Sequence, residues 1–294
     1  MSWRCRSLSS RLRIAPPFAN FSQILTPYEF EKLVLINDHR VLALNKPGNF
    51  VLALFFENAS VNVFPQACHP CKQGPWSCVT GACRHFLESD QARLAYRLDR
   101  ETSGAIVVAK TSEVAGRLNR CIRTTKVAKD YLALVTGSVH KRLRCDRPLG
   151  KDRRSKLESK VRCVATGVPA LTIFEPLALG SDCTLVRVKT THGRKHQIRA
   201  HAQYLGHSVV GDKMYGPDER LFLEFLSTGM TPRLEKALGA TRHMLHCLKV
   251  DFTPTKFPLC IQAAVPEDMS SVLQQRLGLS AQQLSQITRV QPRH

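Results

Sequence analysis

The sequence predicts an α+β domain on a mixed or antiparallel sheet. Short apolar runs of strand length recur along the chain. Short stretches of helical period are interspersed among them, without the steady strand-helix-strand alternation of a parallel sheet. Beyond residue 91 no Pro- or Gly-rich linker and no internal repeat divides the chain, so one domain is expected over 30–294. With 294 residues, 43% of them hydrophobic, there is enough apolar material to bury a core.

Each element follows from its local pattern. Residues 33–36 and 41–44 are apolar runs separated by Asn37-Asp38-His39-Arg40, which reads as two strands joined by a tight turn. Asn45-Lys46-Pro47-Gly48 follows as a loop. Residues 57–90 hold Pro65, Pro70, Gly74, Pro75 and Gly81 with four cysteines, and predict a loop-rich insertion with one helix near 80–89. Residues 105–110 form a buried strand; Ser112 is placed to N-cap a helix with Val114, Ala115, Leu118 and Ile122 on one face. Residues 131–136 give an apolar strand closed by Gly137, and the basic stretch 141–162 reads as a mobile loop. Residues 183–189 alternate as a half-buried strand, and 196–205 read as a helix stopped by Gly206 at C′. Strands also fit 208–210, 244–252 and 258–264, and helices fit 218–227, 232–238 and 266–276.

Lys and Arg number 43 against 23 Asp and Glu, a formal net charge of +20. A polyanion is the natural partner of such a chain, and nucleic acid is the commonest one. No run approaches the ~18 consecutive apolar residues of a membrane-spanning helix. Residues 1–28 carry Arg4, Arg6, Arg11 and Arg13, several serines and no acid. That composition predicts a mitochondrial transit peptide, with a basic RNA-touching arm as the alternative. The 11 cysteines are odd in number and irregularly spaced, so they read as free thiols in a reducing compartment. Cys68, Cys71, Cys78 and Cys83 follow C-x2-C-x6-C-x4-C. Two short hooks at a longer separation would mark zinc, so a structural zinc site ranks below free thiols here.

Three segments could carry chemistry. In 96–104, Asp99 is flanked by Arg97 and Arg100, with Thr102-Ser103-Gly104 reading as a tight polar turn before the buried strand. A neighbouring cation keeps such a carboxylate ionised, and an ionised, partly desolvated carboxylate is a competent nucleophile. Structural ion pairs are the commoner origin of the same pattern. In 193–199, Arg194, Lys195, His196 and Arg199 stand at a strand-to-helix junction, where helix N-termini and basic side chains favour phosphate. His196 and His201 are five residues apart, off the i, i+4 face, which argues against a metal site. In 209–216, a strand ends in Gly211-Asp212 and a Tyr215-Gly216 turn follows, a weak signal alone.

Together these segments resemble the RluA-type RNA pseudouridine synthases. That family carries N-K-P-x-G, [H]-R-L-D-x-x-T-S-G, K-x-Y-x-A-L-V, G-R-x-H-Q-I-R-x-H and G-H-x-[IV]-x-G-D-x-x-Y-G. This chain has the counterparts at 45–48, 97–104, 129–135, 193–201 and 206–216, in that order, and the match spans roughly 33–265. The resemblance implies a mixed, largely antiparallel β-sheet with flanking helices and a central RNA-binding cleft, with no cofactor or metal. It implies that Asp99 is the attacking carboxylate and that Arg97 enters the RNA stack where the uridine leaves. Tyr131 would stack on the base as a candidate proton carrier, and Arg199 would pair with the aspartate. Lys129, Arg194, Lys195 and His196 fall on the implied RNA surface. The basic loop with Lys151, Arg153, Arg154, Lys156 and Lys160 is expected to add phosphate contacts. The implied partner is rRNA or tRNA, within an assembling ribosomal subunit, for a monomer with no membrane association.

The chain departs from the family pattern at Tyr96, where histidine is usual, and at His192, where threonine is usual. The segment 48–96 follows it only loosely. The residues before 32 are too few for an S4-type RNA-binding domain, so substrate grip is expected from the catalytic domain itself. Two readings compete: a non-catalytic RNA-binding or ribosome-assembly factor on the same fold, and a metal-dependent nucleic-acid enzyme using the cysteine cluster.

Overall fold

The computed structural model describes residues 24–50, 75–124, 126–190 and 192–289. Most of the leader, Cys68, Cys71 and most of the 57–90 insertion lie outside them. Helix α1 (Pro27–Lys32) comes first, with a Thr26–Glu29 capping box and a proline at its first turn. Strands β1 (Val34–Asn37) and β2 (Val41–Lys46) follow as expected. Asp38 closes their turn by accepting the N–H groups of Arg40 and Val41, both at 2.7 Å.

After α2 (Val79–Phe86) come β3 (Arg93–Leu94), β4 (Ser103–Ala109), α3 (Ser112–Arg123) and β5 (Ala128–Thr136). Then come β6 (Leu143–Asp146), β7 (Leu149–Lys151), β8 (Val161–Cys163), β9 (Leu171–Leu179) and β10 (Cys183–Thr190). Helices α4 (Gln197–Tyr204), α5 (Arg220–Thr228) and α6 (Pro232–Leu238) precede β11 (Leu245–Asp251) and β12 (Cys260–Gln262). Helices α7 (Glu267–Leu277) and α8 (Ala281–Thr288) end the described chain.

The main sheet runs β1-β2-β4-β11-β5-β10-β9-β6, with β12 beside β11 and β3 beside β4; β7 and β8 form a separate hairpin. Among the described strands only β4 and β11 pair in parallel, so the sheet is mixed and largely antiparallel.

Strand β5 is buried on both faces, which explains its unbroken apolar run. Tyr131, Ala133 and Val135 face the larger core, while Leu132 and Leu134 face Met269 and Leu273 of α7 and Leu284 of α8. This central strand carries the cleft residues on a rigid support.

The structure corrects several local expectations, among them the loop at 45–48, since Asn45 and Lys46 belong to β2, and the strand at 208–210, where only Val209 bridges, to Val135. Thr111, not Ser112, N-caps α3, accepting from the Val114 N–H at 3.3 Å. Ser103 and Gly104 lie within β4; the turn precedes them, closed by the Thr102 N–H donating to the Asp99 carbonyl at 3.1 Å. The stretch 141–162 is not a loop throughout: it contains β6, β7 and the start of β8. Two of its apolar residues, Leu149 and Leu157, are buried with Ala200, Met214 and Tyr215. Strand β9 escapes the sequence pattern because half-buried residues and Pro176 break its alternation; Pro176 stands at the register shift opposite Val186.

Gly104 permits the parallel pairing. At φ +113° it occupies a backbone region that L side chains rarely adopt, and a Cβ there would lie 2.2 Å from the Cys247 carbonyl oxygen. Gly104→Ala is therefore expected to destabilise the protein by at least ~2 kcal/mol through overpacking and backbone strain, measurable by urea unfolding.

Candidate active site

Asp99 sits on the turn entering β4, and the surrounding backbone is pinned from several directions. Lys46, 1% exposed, donates its three ammonium protons to the carbonyls of Pro47, Phe50 and Arg100 at 2.8, 2.9 and 2.8 Å. Glu101 accepts from Lys213 Nζ at 2.7 Å and from the His243 N–H at 3.1 Å. Thr102 Oγ1 meets His243 Nε2 at 2.8 Å, and Ser103 Oγ meets His246 Nδ1 at 3.0 Å. The loop bearing the carboxylate is thus fixed before any substrate arrives.

Helix α4 brings the partner. It is docked on β9 by Gln197, whose Nε2 donates to the Leu171 carbonyl at 2.9 Å and to Thr172 Oγ1 at 3.0 Å. Arg199, in the first turn, is buried. Its Nη1 donates to Asp99 Oδ2 at 2.8 Å, while Nε and Nη2 grip both oxygens of Asp212 at 2.6 and 2.8 Å. Asp212, fully buried, also accepts the N–H groups of Met214 and Tyr215 at 3.0 Å each. Burial alone would raise both carboxyls; His196, Arg199 and Arg97 around Asp99, and Arg199 with backbone N–H groups around Asp212, reverse this and hold both below the usual carboxylate range.

His196 caps α4 in the left-handed region at φ 51°, and its ring stands beside Asp99, Nε2 to Oδ1 at 3.9 Å. Burial pulls its pKa down to about 4, so at neutral pH the imidazole is uncharged, and of the groups around Asp99 it is Arg199, with Arg97, that supplies the positive charge keeping the carboxylate ionised. Tyr215 Oη accepts the Val161 N–H at 3.0 Å and lies 3.0 Å from His196 Nδ1. With that acceptor role filled, the phenol donates to Nδ1, which leaves the Nε2–H directed at Asp99.

The cleft beside this cluster is lined by Arg97, Asp99, Lys129, Tyr131, Arg194 and Arg199, among others. The structure therefore brings Asp99, Tyr131 and Arg199 to one place. Tyr131 is 8% exposed, and burial keeps its phenol protonated. Arg97, Arg194, Lys195, Lys151, Arg153 and Arg154 are exposed cations, whereas Lys129 is buried in the inner wall and His196 is neutral. Neither of the last two is a surface phosphate clamp. Lys160 departs from its expected role too: it is buried and paired with Glu219 at 2.9 Å. Tyr96 donates to the Ala105 carbonyl at 2.8 Å and places its ring 4.1 Å below the Lys129 ammonium.

The cysteine quartet weighed as a zinc site, and ranked below free thiols, is only half described. Cys78 caps α2, accepting the Gly81 N–H at 3.4 Å, and Cys83 is fully buried, where desolvation raises its thiol pKa. Among the described residues one group has metal-ligand spacing, Cys145, Cys163 and His201, with ligand atoms within 4.8 Å. Both His201 nitrogens are already engaged, Nδ1 with Thr172 Oγ1 at 2.7 Å and Nε2 with the Arg147 carbonyl at 2.9 Å. Sequence reasoning does not mark Lys46, Glu101, Asp212, Tyr215 or His243 as site residues. Lys46, Glu101, Asp212 and Tyr215 fall within the matched segments 45–48, 97–104 and 206–216 without being given a role there, and His243 falls in none of them.

Comparison with known proteins places this chain. The RNA pseudouridylate synthase family model matches residues 40–204, and the chain belongs to that family. It is 32% identical to ribosomal large subunit pseudouridine synthase C of Pasteurella multocida over 83% of this chain and 68% of that one. It is 29% identical to synthase D of Vibrio parahaemolyticus over 80% and 68%. Two human structures share the fold, those of RNA pseudouridylate synthase domain containing 1 and 4, each with a TM-score of 0.61. Their identities are 24% and 21%, with 88% and 84% of this chain and 95% and 94% of theirs covered.

Asp212→Ala would leave Arg199 paired with Asp99 alone, with two of its hydrogen bonds unmade in a buried site. A loss of about 3–5 kcal/mol is expected in chemical unfolding at neutral pH. Because the folded pKa of Asp212 is depressed, its stabilisation is complete above the ordinary carboxylate range and disappears as pH falls through the lower folded value. The gap between the two proteins should therefore close on acidification, which unfolding curves at stepped pH would check.

Proposed function

We propose that the protein isomerises uridine to pseudouridine in RNA, with Asp99 as nucleophile, and that its substrate is large-subunit ribosomal RNA. The observation that carries the reading is the Asp99 carboxylate on a pinned turn, 2.8 Å from Arg199, in a cleft shared with Tyr131. A base must leave the stack to reach such a site. Exposed Arg97, at the rim, fills the gap it leaves, and Tyr131 stacks on the extruded ring, worth about 1–3 kcal/mol. The names of the ribosomal synthases support rRNA as the substrate class. The acid-free leader supports action in mitochondria, on the ribosomal RNA assembled there.

Asp99→Ala is expected to reduce pseudouridine formation on an unmodified rRNA transcript by on the order of 10⁴-fold or more, as for loss of a nucleophile. RNA affinity should persist, since phosphate contacts supply most of it. Full turnover by the variant would overturn the assignment. Replacing Lys151, Arg153 and Arg154 together by alanine should weaken binding to all RNAs alike. It should also flatten the salt dependence by about 0.7–0.9 in log–log slope for each phosphate no longer neutralised. Filter binding at stepped salt reads both.

A further inference from the structure

The charges inside the cleft are unevenly matched. Arg199 is one guanidinium between two carboxylates, Asp99 and Asp212, so the trio is net negative. His196 is neutral at physiological pH. Lys213 pairs with Glu101, and Lys46 is saturated by three carbonyls and stands outside the cleft lining. The remaining buried cation on the cleft wall is Lys129, 6% exposed.

Lys129 lies two residues before Tyr131 on β5, so the two side chains leave the same face of the strand. Asp130 between them leaves the other face. Among the described residues no carboxylate stands within ion-pair distance of Lys129. Its ammonium rests 4.1 Å over the Tyr96 ring, whose negative face favours the charged form. The other titratable groups near it are the Tyr131 phenol and the Cys247 thiol, the latter pushed up to about 12, and both stay neutral. A buried ammonium without an anion is costly, and the arrangement makes sense when the substrate brings the anion.

We propose that Lys129 is a catalytic residue whose ammonium stabilises the uracil anion released when the C1′–N1 bond breaks. The inference rests on the pseudouridine synthase reading. In that step Asp99 bonds to C1′, the C1′–N1 pair departs with the base, and the negative charge spreads over N1, O2 and O4. Lys129 keeps its three protons and hydrogen-bonds the charged edge of the ring. When the turned ring attacks through C5, the C1′–C5 bond forms and the bond to Asp99 breaks, restoring its carboxylate. C5 then gives a proton to water and N1 takes one from water. Without Lys129 the anion would form beside a buried trio that is net negative, where fixed charge acts most strongly, with only the exposed cations Arg97 and Arg194 left on the cleft lining and no buried cation free to meet the base. Tyr96, in the position where histidine is usual, becomes the positioning residue that holds this ammonium over its ring.

The test compares wild type, Lys129→Met and Lys129→Arg in single-turnover reactions on an unmodified large-subunit rRNA transcript. The same transcript with 5-fluorouridine in place of uridine is the second substrate. Conversion is scored as loss of the N-linked nucleoside in nuclease digests, and thermal melting checks that the variants fold. Fluorine stabilises the departing anion, so less help is needed from the enzyme. The methionine variant is expected to lose on the order of 10²–10³ in rate on uridine, the scale of one missing charge-stabilising donor, and clearly less on 5-fluorouridine. Burial draws the Lys129 pKa to about 8, so the wild-type rate should fall above that pH while the arginine variant's does not. Equal losses on both substrates would reduce Lys129 to a structural residue. A methionine variant within about threefold of an active wild type would dismiss it from catalysis. A wild type that forms no pseudouridine on any rRNA would instead overturn the functional reading itself, and this inference with it.

Discussion

The site depends on one shared guanidinium. Arg199 holds Asp212 with two hydrogen bonds and Asp99 with a third, and it does so from a buried helix turn at the cleft wall. Bidentate geometry suits arginine and no other side chain, because the planar fork fixes both distance and direction. Asp212 gives the fork its orientation, since its Oδ1 is fixed by the backbone N–H groups of residues 214 and 215. The free edge of the guanidinium then points at Asp99. Such a buried network adds little net stability against an apolar substitute, yet removing any member leaves buried hydrogen-bonding groups unpaired, and removing Arg199 leaves two carboxylates without their cation. Its value lies in placing one carboxylate and keeping it ionised.

Preorganisation extends outward from that contact. The Asp99 turn is gripped on one side by Lys46 and on the other by Glu101, Thr102 and Ser103, which tie it to Lys213, His243 and His246. Those partners come from segments far apart in sequence, so the turn is assembled only when the sheet is complete. The parallel pairing of β4 with β11 is what sets His246 beside Ser103, and Gly104 is the residue that lets the strands approach closely enough. Local geometry at the carboxylate is therefore a consequence of global topology. A nucleophile held this way loses little further freedom on reaching its transition state.

Much of this is legible in the chain itself. The strands with uninterrupted apolar runs, β2, β4 and β5, are buried on both faces, and continuous hydrophobicity is what such burial demands. The helix stop at Gly206, with φ +85°, follows from glycine's freedom in the left-handed region. The elements that escape notice are those whose stability is borrowed. Strands β6, β7 and β8 are three or four residues long, and the last two are held by a small cluster around Tyr215, which no periodicity announces. Asp212 and Lys46 are obscure for the same reason: a charged residue in a short loop or at a strand end looks solvated until distant partners enclose it. Asp99, Tyr131 and Arg199 stand out because each lies in a longer recognisable segment.

The same reasoning separates the cations of a strongly basic chain by what surrounds them. Arg97, Arg194, Lys195 and the arginines of the β7–β8 connection keep their water, so they can exchange it for phosphate with little desolvation cost and little sequence preference. Lys160 has given up its water for Glu219, Lys46 for backbone carbonyls, and Arg199 for two aspartates. Lys129 has given up most of its water for the face of a tyrosine ring, which offsets only part of the loss. A side chain left in that condition on a cleft wall is a stored electrostatic potential, and it is discharged by whatever negative charge enters the cleft. Asp99, turned to Arg199 and outside ion-pair distance of Lys129, does not meet that need; a base that becomes negative only as its bond breaks does. The distinction between binding cations and a reacting one thus follows from hydration, and it assigns the exposed residues to the RNA backbone and the buried lysine to the base.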